Sequence, residues 1–441
     1  MKNYQAVIIG FGKAGKTLAV NLAKQGWSVA IVEQSAEMYG GTCINIGCIP
    51  TKLLVHDATL KNDFEKSMTR KSDVVEFLRN KNFHNLADID NIDVIDGRAE
   101  FIDGNTLRVI SPNTTQVICG EKIFINTGAQ PQFPNIDGLT KTPGVYDSTG
   151  ILGLSRRPEH LGILGGGYIG VEFASMFAQF GSKVTIFEAG SRFLPREDED
   201  IANAIADILK NQGIEICLNV DVKSVSGQEG TVQVHTATNI ETVDALLVAA
   251  GRIPATQQLQ LKNAGVALNE RGAIQVDAYL RTSAPNIWAL GDVNGGPQFT
   301  YISLDDFRIV FDQLCGKGKR NTDNRTNIPY SVFMTPPLSR IGLSETQALS
   351  SGADFQVVTL SATAIPRARI MNDTRGLLKA IVDNHTQRIL GVSLLCIDSH
   401  EVINIIKTVM DAQLPYTVLR DQIFTHPTMS ESLNELFSLV K

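Results

Sequence analysis

The sequence predicts an α/β protein with two doubly wound, parallel-sheet domains followed by a smaller α+β domain. Three observations carry that expectation. A β-α-β unit with a glycine-rich turn opens the chain. The same grammar returns 155 residues later. From about Asn327 strands and helices continue without another glycine-rich turn. The length of 441 residues fits two to four domains at roughly 100–200 residues each. Apolar residues make up 43% and charged residues 20%, which is ample for packed cores.

The elements follow in order. YQAVII, from Tyr4 to Ile9, reads as a strand, GFGKAG as the turn and KTLAVNLAKQG as a helix. WSVAIVE is the second strand and ends at Glu33. The second unit runs from His160 to Glu188: HLGIL, GGGYIG, VEFASMFAQFG and SKVTIFE. Gly10 to Glu33 and Gly165 to Glu188 are each 23 residues apart, which points to two Rossmann-like domains. Between the units, the polar run from Asn62 to Asn85 reads as helix. IDVIDGRAEFID, TLRVI and CGEKIFINTG read as short strands. EICLNVDVKSVS, TVQVHT and DALLVAAG follow the second unit as strands, and AIQVD and NIWALGD as returning strands. In the last part, strands are expected around Tyr330, Gln356, Lys379 and Ile389, and helices near Glu345 and Glu401. The expected boundaries are 1–147 for the first domain, 148–273 for the second, 274–326 for the return to the first, and 327–441 for the last.

Composition excludes several functions. The net charge is −6, which argues against a nucleic-acid binder and against a polybasic membrane-surface protein. No apolar run reaches the ~18 residues of a membrane span. Lys13, Lys16 and Lys24 interrupt the N-terminal apolar stretch, so it does not read as a secretory signal. Six cysteines are too few for a disulfide scaffold. A cytoplasmic protein is expected.

Each glycine turn carries a dinucleotide fingerprint. Gly10, Gly12 and Gly15 form the first, with Glu33 in the acidic slot. Gly165, Gly167 and Gly170 form the second, with Glu188. The first glycine permits the tight turn, the second lets amides approach a pyrophosphate, and the third lets helix pack on strand. The helix N-terminus adds amides and partial positive charge. The competing reading is a nucleotide-free turn of the same shape. Two fingerprints imply two dinucleotides, FAD and NAD(P)H, working as an electron relay. A carboxylate at Glu188 favours a ribose 2′-hydroxyl and repels a 2′-phosphate, so NADH is expected over NADPH, unless Glu188 faces solvent. Gly291 and Asp292 end a strand in ALGD, where the acid could hold flavin side-chain hydroxyls.

Cys43 and Cys48 lie in GGTCINIGCIPTK. Five residues of regular helix rise by about 7.5 Å. A disulfide needs Cα atoms within about 6.8 Å, so a bonded pair requires a distortion, which Gly47 can supply. Pro50 suits the first turn of a following helix. Lys52 falls four residues after Cys48, and its ammonium together with a helix N-terminus favours a Cys48 thiolate. A close pair of this kind is redox-active or metal-binding, but no second Cys/His pair completes a zinc site. Cys119, Cys217, Cys315 and Cys396 read as small core hydrophobes; Cys396, near Asp398 and His400, is the one with polar company. Near the C-terminus, His426 precedes a proline and Glu431 follows five residues later. That pair reads either as a proton shuttle or as an ordinary turn before a capped helix.

Together GFGKAG, GGTCINIGCIPTK, INTGAQP, GGGYIGVEFA, GRIP, ALGD, VFMTPP with IGLSE, and HPTMSE resemble the pyridine nucleotide–disulfide oxidoreductases, the class I flavoprotein disulfide reductases. That family includes dihydrolipoamide dehydrogenase, glutathione reductase and mercuric reductase. The resemblance spans the whole chain. It implies that Cys48 is the flavin-proximal thiolate and Cys43 the interchange thiol. Lys52 and Glu172 would pair near the reactive edge of the flavin. Tyr168 would cover the nicotinamide side of the ring. Gly41, Thr42, Thr127, Gly128, Ile169, Gly251, Arg252 and Gly291 would contact the cofactors, and Asp292 the FAD ribityl chain. His426, held by Glu431, would serve the cysteines of a neighbouring subunit, which implies a homodimer built on the C-terminal domain.

DSHEVINIIK and IFTHPTMSESLNELFSLVK are similar to a bacterial branch linked to reactive-chlorine resistance and to reduction of copper(II). No resident metal site is expected; Cu(II) would be a substrate at Cys43 and Cys48, since thiolates favour Cu(I). The chain ends SLVK without the extra C-terminal cysteine pair of mercuric reductase, and no lipoyl or metal-binding domain precedes Met1. The acceptor is therefore expected to reach Cys43 directly, as a small disulfide, a metal ion or an oxidant. The rival functions are a dihydrolipoamide dehydrogenase-type reductase, a diaphorase or transhydrogenase using the flavin alone, and a redox-sensing binding module.

Overall fold

The computed structural model describes residues 2–441. The first domain is a seven-stranded sheet with Lys2–Ile9 at its centre. Val29–Glu33 and then Ile92–Asp96 lie on one side; Thr115–Ile125, Thr106–Ile110 and Arg98–Phe101 lie on the other. Val29–Glu33 is buried at every position, as a strand covered on both faces must be. The late strand Ile287–Ala289 pairs in parallel with Thr115–Ile125. Trp288 stacks on Phe124 with ring centroids 5.2 Å apart. The helix Lys13–Lys24 packs against Thr300–Cys315 over this sheet.

The second domain has a five-stranded parallel sheet. Its order is Ile214–Cys217, Lys183–Phe187, His160–Leu164, Ala245–Val248 and Val145–Tyr146. An antiparallel meander, Val222–Gln228, Thr231–Thr236 and Ile240–Val243, covers part of it. The last domain is a five-stranded antiparallel sheet, Tyr330–Val332, Leu338–Gly342, Ile389–Leu395, Leu377–Asp383 and Phe355–Ser361. Helices Ser399–Asp411 and Ser432–Ser438 bury Val402, Ile406, Leu433 and Phe437 against it.

Two expectations are corrected. AIQVD is not a strand. Asn269 turns the chain with its side chain, accepting from the amides of Arg271 and Ala273, and Ile274 makes only a single bridge to Leu268. The boundary at 273 also falls too late. Leu259, Leu261, Ala264, Val266 and Ile274 pack in one core with Tyr4, Val7 and Ile125. The chain has already crossed back where Arg252–Pro254 pairs with Ala129–Pro131. The strand Leu338–Gly342 was not anticipated, because a buried Arg340 breaks its apolar pattern. Among the described residues, no helix is long and apolar enough to cross a membrane.

Candidate active site

Both glycine turns, the cysteine segment and parts of the last domain line one cavity of about 3420 Å³. Drug-sized pockets run to roughly 1,000 Å³, so this one has room for two dinucleotides. The turns fit such ligands. Gly10 has φ +100°, and a Cβ there would lie 2.5 Å from the Asn126 carbonyl oxygen. Asn126 holds the turn further, accepting from the Gly15 amide at 2.8 Å and donating to the Leu290 carbonyl. Gly167 differs: a Cβ there would meet nothing within 4 Å, and its φ of −75° suits any residue. The space it leaves lies at the N-terminus of the helix Tyr168–Gln179, whose first amides have no intrahelical acceptor. That is a cradle for an anion.

The acidic residues brace their own turns. Glu33 accepts from the Phe11 amide at 2.9 Å and the Ser35 amide at 3.2 Å, and burial pushes its pKa up. Glu188 accepts from Gly166 and Gly190, both at 2.7 Å, so it is not a solvent-facing group. Each carboxylate keeps lone pairs for a ribose. Thr127 donates to the Ala255 carbonyl at 2.8 Å. Gly41, Thr42, Gly128, Ile169, Gly251, Arg252 and Asp292 also line the cavity. Burial raises the Asp292 pKa against the opposing charge of Arg252.

The cysteine segment breaks where its geometry requires. A short helix, Thr42–Asn45, ends at Ile46; Gly47 takes φ −127° and ψ −118°; a new helix starts at Cys48. Both cysteines are free thiols. The neighbouring Cys43 thiol is the largest influence pulling the Cys48 pKa down to about 6. Partial burial opposes it, while Thr300, 3.6 Å from the Cys48 sulfur, and the Lys52 charge support it. Cys43 moves strongly the other way, because the neighbouring Cys48 carries the charge of the pair and because Cys43 is buried. Lys52 pairs with Glu172 at 2.7 Å and lies 4.8 Å from the Phe333 ring centroid. Glu172 also accepts from the Phe333 amide at 2.7 Å.

A pH experiment follows from this pair. Alkylation of Cys48 by iodoacetamide should stay fast from pH 8 down to its midpoint at about 6. An ordinary thiol, with a pKa near 8.5, would already have slowed by about 25-fold between pH 8 and pH 6.5. A midpoint above pH 8 would show that Cys43 does not favour the Cys48 thiolate.

His426 lies elsewhere. Its Nδ1 is 2.8 Å from Glu431, its side chain is 72% exposed, and it does not line the cavity of its own chain. Of the remaining cysteines only Cys396 is in the core, where burial pushes its pKa up to about 12. Cys119 and Cys217 are half-buried and Cys315 is exposed. Cys217 ends an edge strand and Cys315 ends a helix, places an apolar run does not reveal. Among the described residues no cluster of three or more His, Cys, Asp or Glu could hold a metal ion.

Sequence reasoning missed Thr300, Lys16 and Glu197. Lys16 is buried, donates to Gly40 and to Asn82, and burial lowers its pKa to about 8. Its signal was visible as a lysine directly after the third fingerprint glycine. Thr300 and Glu197 carry no local signal.

The family model for pyridine nucleotide-disulphide oxidoreductase matches residues 4–306, and the model for that family's dimerisation domain matches residues 328–437. The chain is 70% identical over 441 residues, all of both chains, to the probable pyridine nucleotide-disulfide oxidoreductase RclA of Escherichia coli (strain K12). A solved structure described as the Cu(II) complex of the HOCl-induced flavoprotein disulfide reductase RclA from Escherichia coli superposes with a TM-score of 0.99. It is 70% identical, and the match covers 100% of each chain. Mercuric reductase of Staphylococcus aureus is 31% identical over 452 residues, covering 98% of this chain and 81% of that protein.

Proposed function

The chain belongs to the pyridine nucleotide-disulphide oxidoreductases, FAD-dependent enzymes that use a pyridine nucleotide, and on that premise we propose that it passes electrons from NADH through the Cys43–Cys48 pair to copper(II) in resistance to reactive chlorine. The observation that carries the reading is a pair of free cysteines, Cys43 and Cys48, with Thr300 3.6 Å from the Cys48 sulfur, in the cavity shared by both glycine turns. The similarity to a relative solved with Cu(II) supports the choice of acceptor. Bound FAD supplies hydride acceptance and electron transfer to the disulfide.

The chain's own residues do the rest. The two turns bind the pyrophosphates, and Glu188 selects NADH. Lys52, paired with Glu172, holds positive charge beside the Cys48 thiolate. The reduced pair, Cys43 thiol and Cys48 thiolate, gives one electron to each of two Cu(II) ions. A Cys43–Cys48 disulfide forms, two Cu(I) leave, and the Cys43 proton is released. His426, oriented by Glu431, accepts that proton. Because it stands outside its own cavity, it serves the cysteines of a second copy, so the working unit is a homodimer built on residues 328–437. A dithiol cycled by NADH belongs in a reducing compartment, the cytoplasm.

The test is an anaerobic assay of the purified holoenzyme with NADH and either Cu(II) or oxidised lipoamide, with a Cu(I) chelator as the readout for metal. Two Cu(I) per NADH, with negligible lipoamide turnover, is expected. Rapid lipoamide reduction without Cu(I) formation would make this a small-disulfide reductase instead.

A further inference from the structure

Tyr168 opens the second fingerprint's helix, and its side chain does not stand free. Its hydroxyl donates to Glu197 Oε1 at 2.5 Å. The Tyr330 hydroxyl donates to the same oxygen at 2.6 Å, and the two phenol oxygens are 3.2 Å apart. The Tyr168 and Tyr330 ring centroids are 5.5 Å apart. On the far side Arg340 Nη1 donates to the Arg196 carbonyl at 2.7 Å and approaches Glu197 Oε2 at 3.5 Å. The strand register puts Tyr330 directly opposite Arg340. The Glu197 side chain is fully buried and that of Arg340 is 6% exposed, so this node is sheltered from competing water. Burial and the Glu197 charge raise the pKa values of both phenols, Tyr330 to about 12, which keeps them as donors.

The node joins two domains. Tyr168 and Glu197 belong to the second domain, Tyr330 and Arg340 to the last, and all four line the common cavity. A nucleotide seated with its pyrophosphate on the amides after Gly167 extends past the first residue of that helix, which is Tyr168. We propose that Glu197, seconded by Tyr330 and Arg340, is a positioning residue that latches Tyr168 over the pyridine-nucleotide site, so that nucleotide entry must break the Tyr168–Glu197 hydrogen bond. The inference rests on the reading that the second fingerprint holds the pyridine nucleotide. The latch is built to release: when Tyr168 swings away, Glu197 retains Tyr330 and Arg340 and is not left without partners.

Steady-state kinetics of the holoenzyme test it with Tyr168→Phe, Tyr330→Phe, Glu197→Gln and the double variant Tyr168→Phe/Glu197→Gln. Removing a hydrogen bond to a charged group that binding must break should lower the KM for NADH by about tenfold or more. The kcat should change by less than about twofold, because the reacting atoms are untouched. Tyr168→Phe and Glu197→Gln should not add in the double variant. Tyr330→Phe keeps the Tyr168–Glu197 bond and should shift KM less than Tyr168→Phe does. An unchanged or raised KM in Tyr168→Phe, or fully additive effects in the double variant, overturns the latch. If Glu197→Gln fails to fold, the two tyrosine variants still decide. Gly167→Val separates the underlying reading. The Cβ meets nothing within 4 Å in the protein, so the side chain should intrude on the nucleotide and raise the KM for NADH more than tenfold; an unchanged KM would mean that the nucleotide binds elsewhere.

Discussion

Replacing Cys48 by serine is expected to abolish NADH-driven copper reduction, by about a thousandfold or more. Serine supplies no anion at neutral pH and cannot close a bond with Cys43. It also removes the negative charge that Lys52 and Thr300 favour. The site should otherwise persist, because the residue sits at the accessible start of a helix and the change alters volume little. Cys43→Ser should lose the same activity for a different reason. Cys48 then keeps a hydrogen-bond donor and its low pKa but has no sulfur to pair with. The two variants therefore separate under iodoacetamide: Cys43→Ser is alkylated with a midpoint still near 6, and Cys48→Ser shows no such thiol. Dye reduction by NADH should survive in both, since it needs no dithiol. Copper reduction retained above about a tenth in Cys48→Ser would remove the pair from the electron path.

The largest loss of stability is expected from Lys379→Met. Lys379 is 3% exposed and lies 2.7 Å from Glu345, 2.9 Å from Asp200 and 3.3 Å from Asp198. Asp198 in turn accepts from the Glu345 amide at 3.0 Å. The ammonium thus braces the second domain against the last. Burial alone would lower its pKa, but hydrogen bonds to Glu345 and Asp200 and the charge of Asp198 raise it. Methionine fills the volume and leaves the buried Asp198 without its salt-bridge partner. Breaking a buried pair this way costs about 3–5 kcal/mol, readable as a shift of the urea midpoint. The sign with pH follows from linkage. A lysine whose pKa is raised on folding contributes fully below its unfolded value, about 10.4, and loses that contribution as pH rises through the folded value. The deficit of Lys379→Met should therefore be constant near neutrality and shrink only in strong alkali. A loss under about 0.5 kcal/mol at pH 7 would show that water already satisfies those carboxylates.

What the sequence made legible is what glycine and cysteine spacing encode. Gly10, Gly12 and Gly15 and their counterparts at Gly165, Gly167 and Gly170 mark tight local geometry, and local geometry leaves local traces. Cys43 and Cys48 are legible for the same reason, since Gly47 must bend the chain between them. The Glu197 node and the Lys379 cluster were not legible. Arg340 is 143 residues from Glu197, and Lys379 is 179 from Asp200; only the packing of one domain on another brings them together. AIQVD misled because its alternation matches a strand, whereas its amides go to carbonyls scattered over separate segments, Ile274 to Val293, Gln275 to Ala267 and Asp277 to Arg281, and not to one neighbouring strand. The boundary at 273 misled because Leu259, Leu261, Ala264 and Val266 would suit the core of either domain, and only their packing assigns them to the first.

The first sheet is interrupted in sequence, and that has a consequence for how the chain is made. The C-terminal end of strand Thr115–Ile125, whose N-terminal half pairs with Thr106–Ile110, must wait for Ile287–Ala289 to cover its edge. The two are separated by 287 − 125 = 162 residues. At a synthesis rate of about 5–20 residues per second, the wait is on the order of 8–30 s. For that interval the nascent first domain presents an unfinished edge, and the leucine-rich segment that completes its core is still unmade. The second domain has time to fold inside it. A nascent chain stalled before residue 287 therefore offers the unpaired edge at Ile123–Ile125 to any passing chain or chaperone.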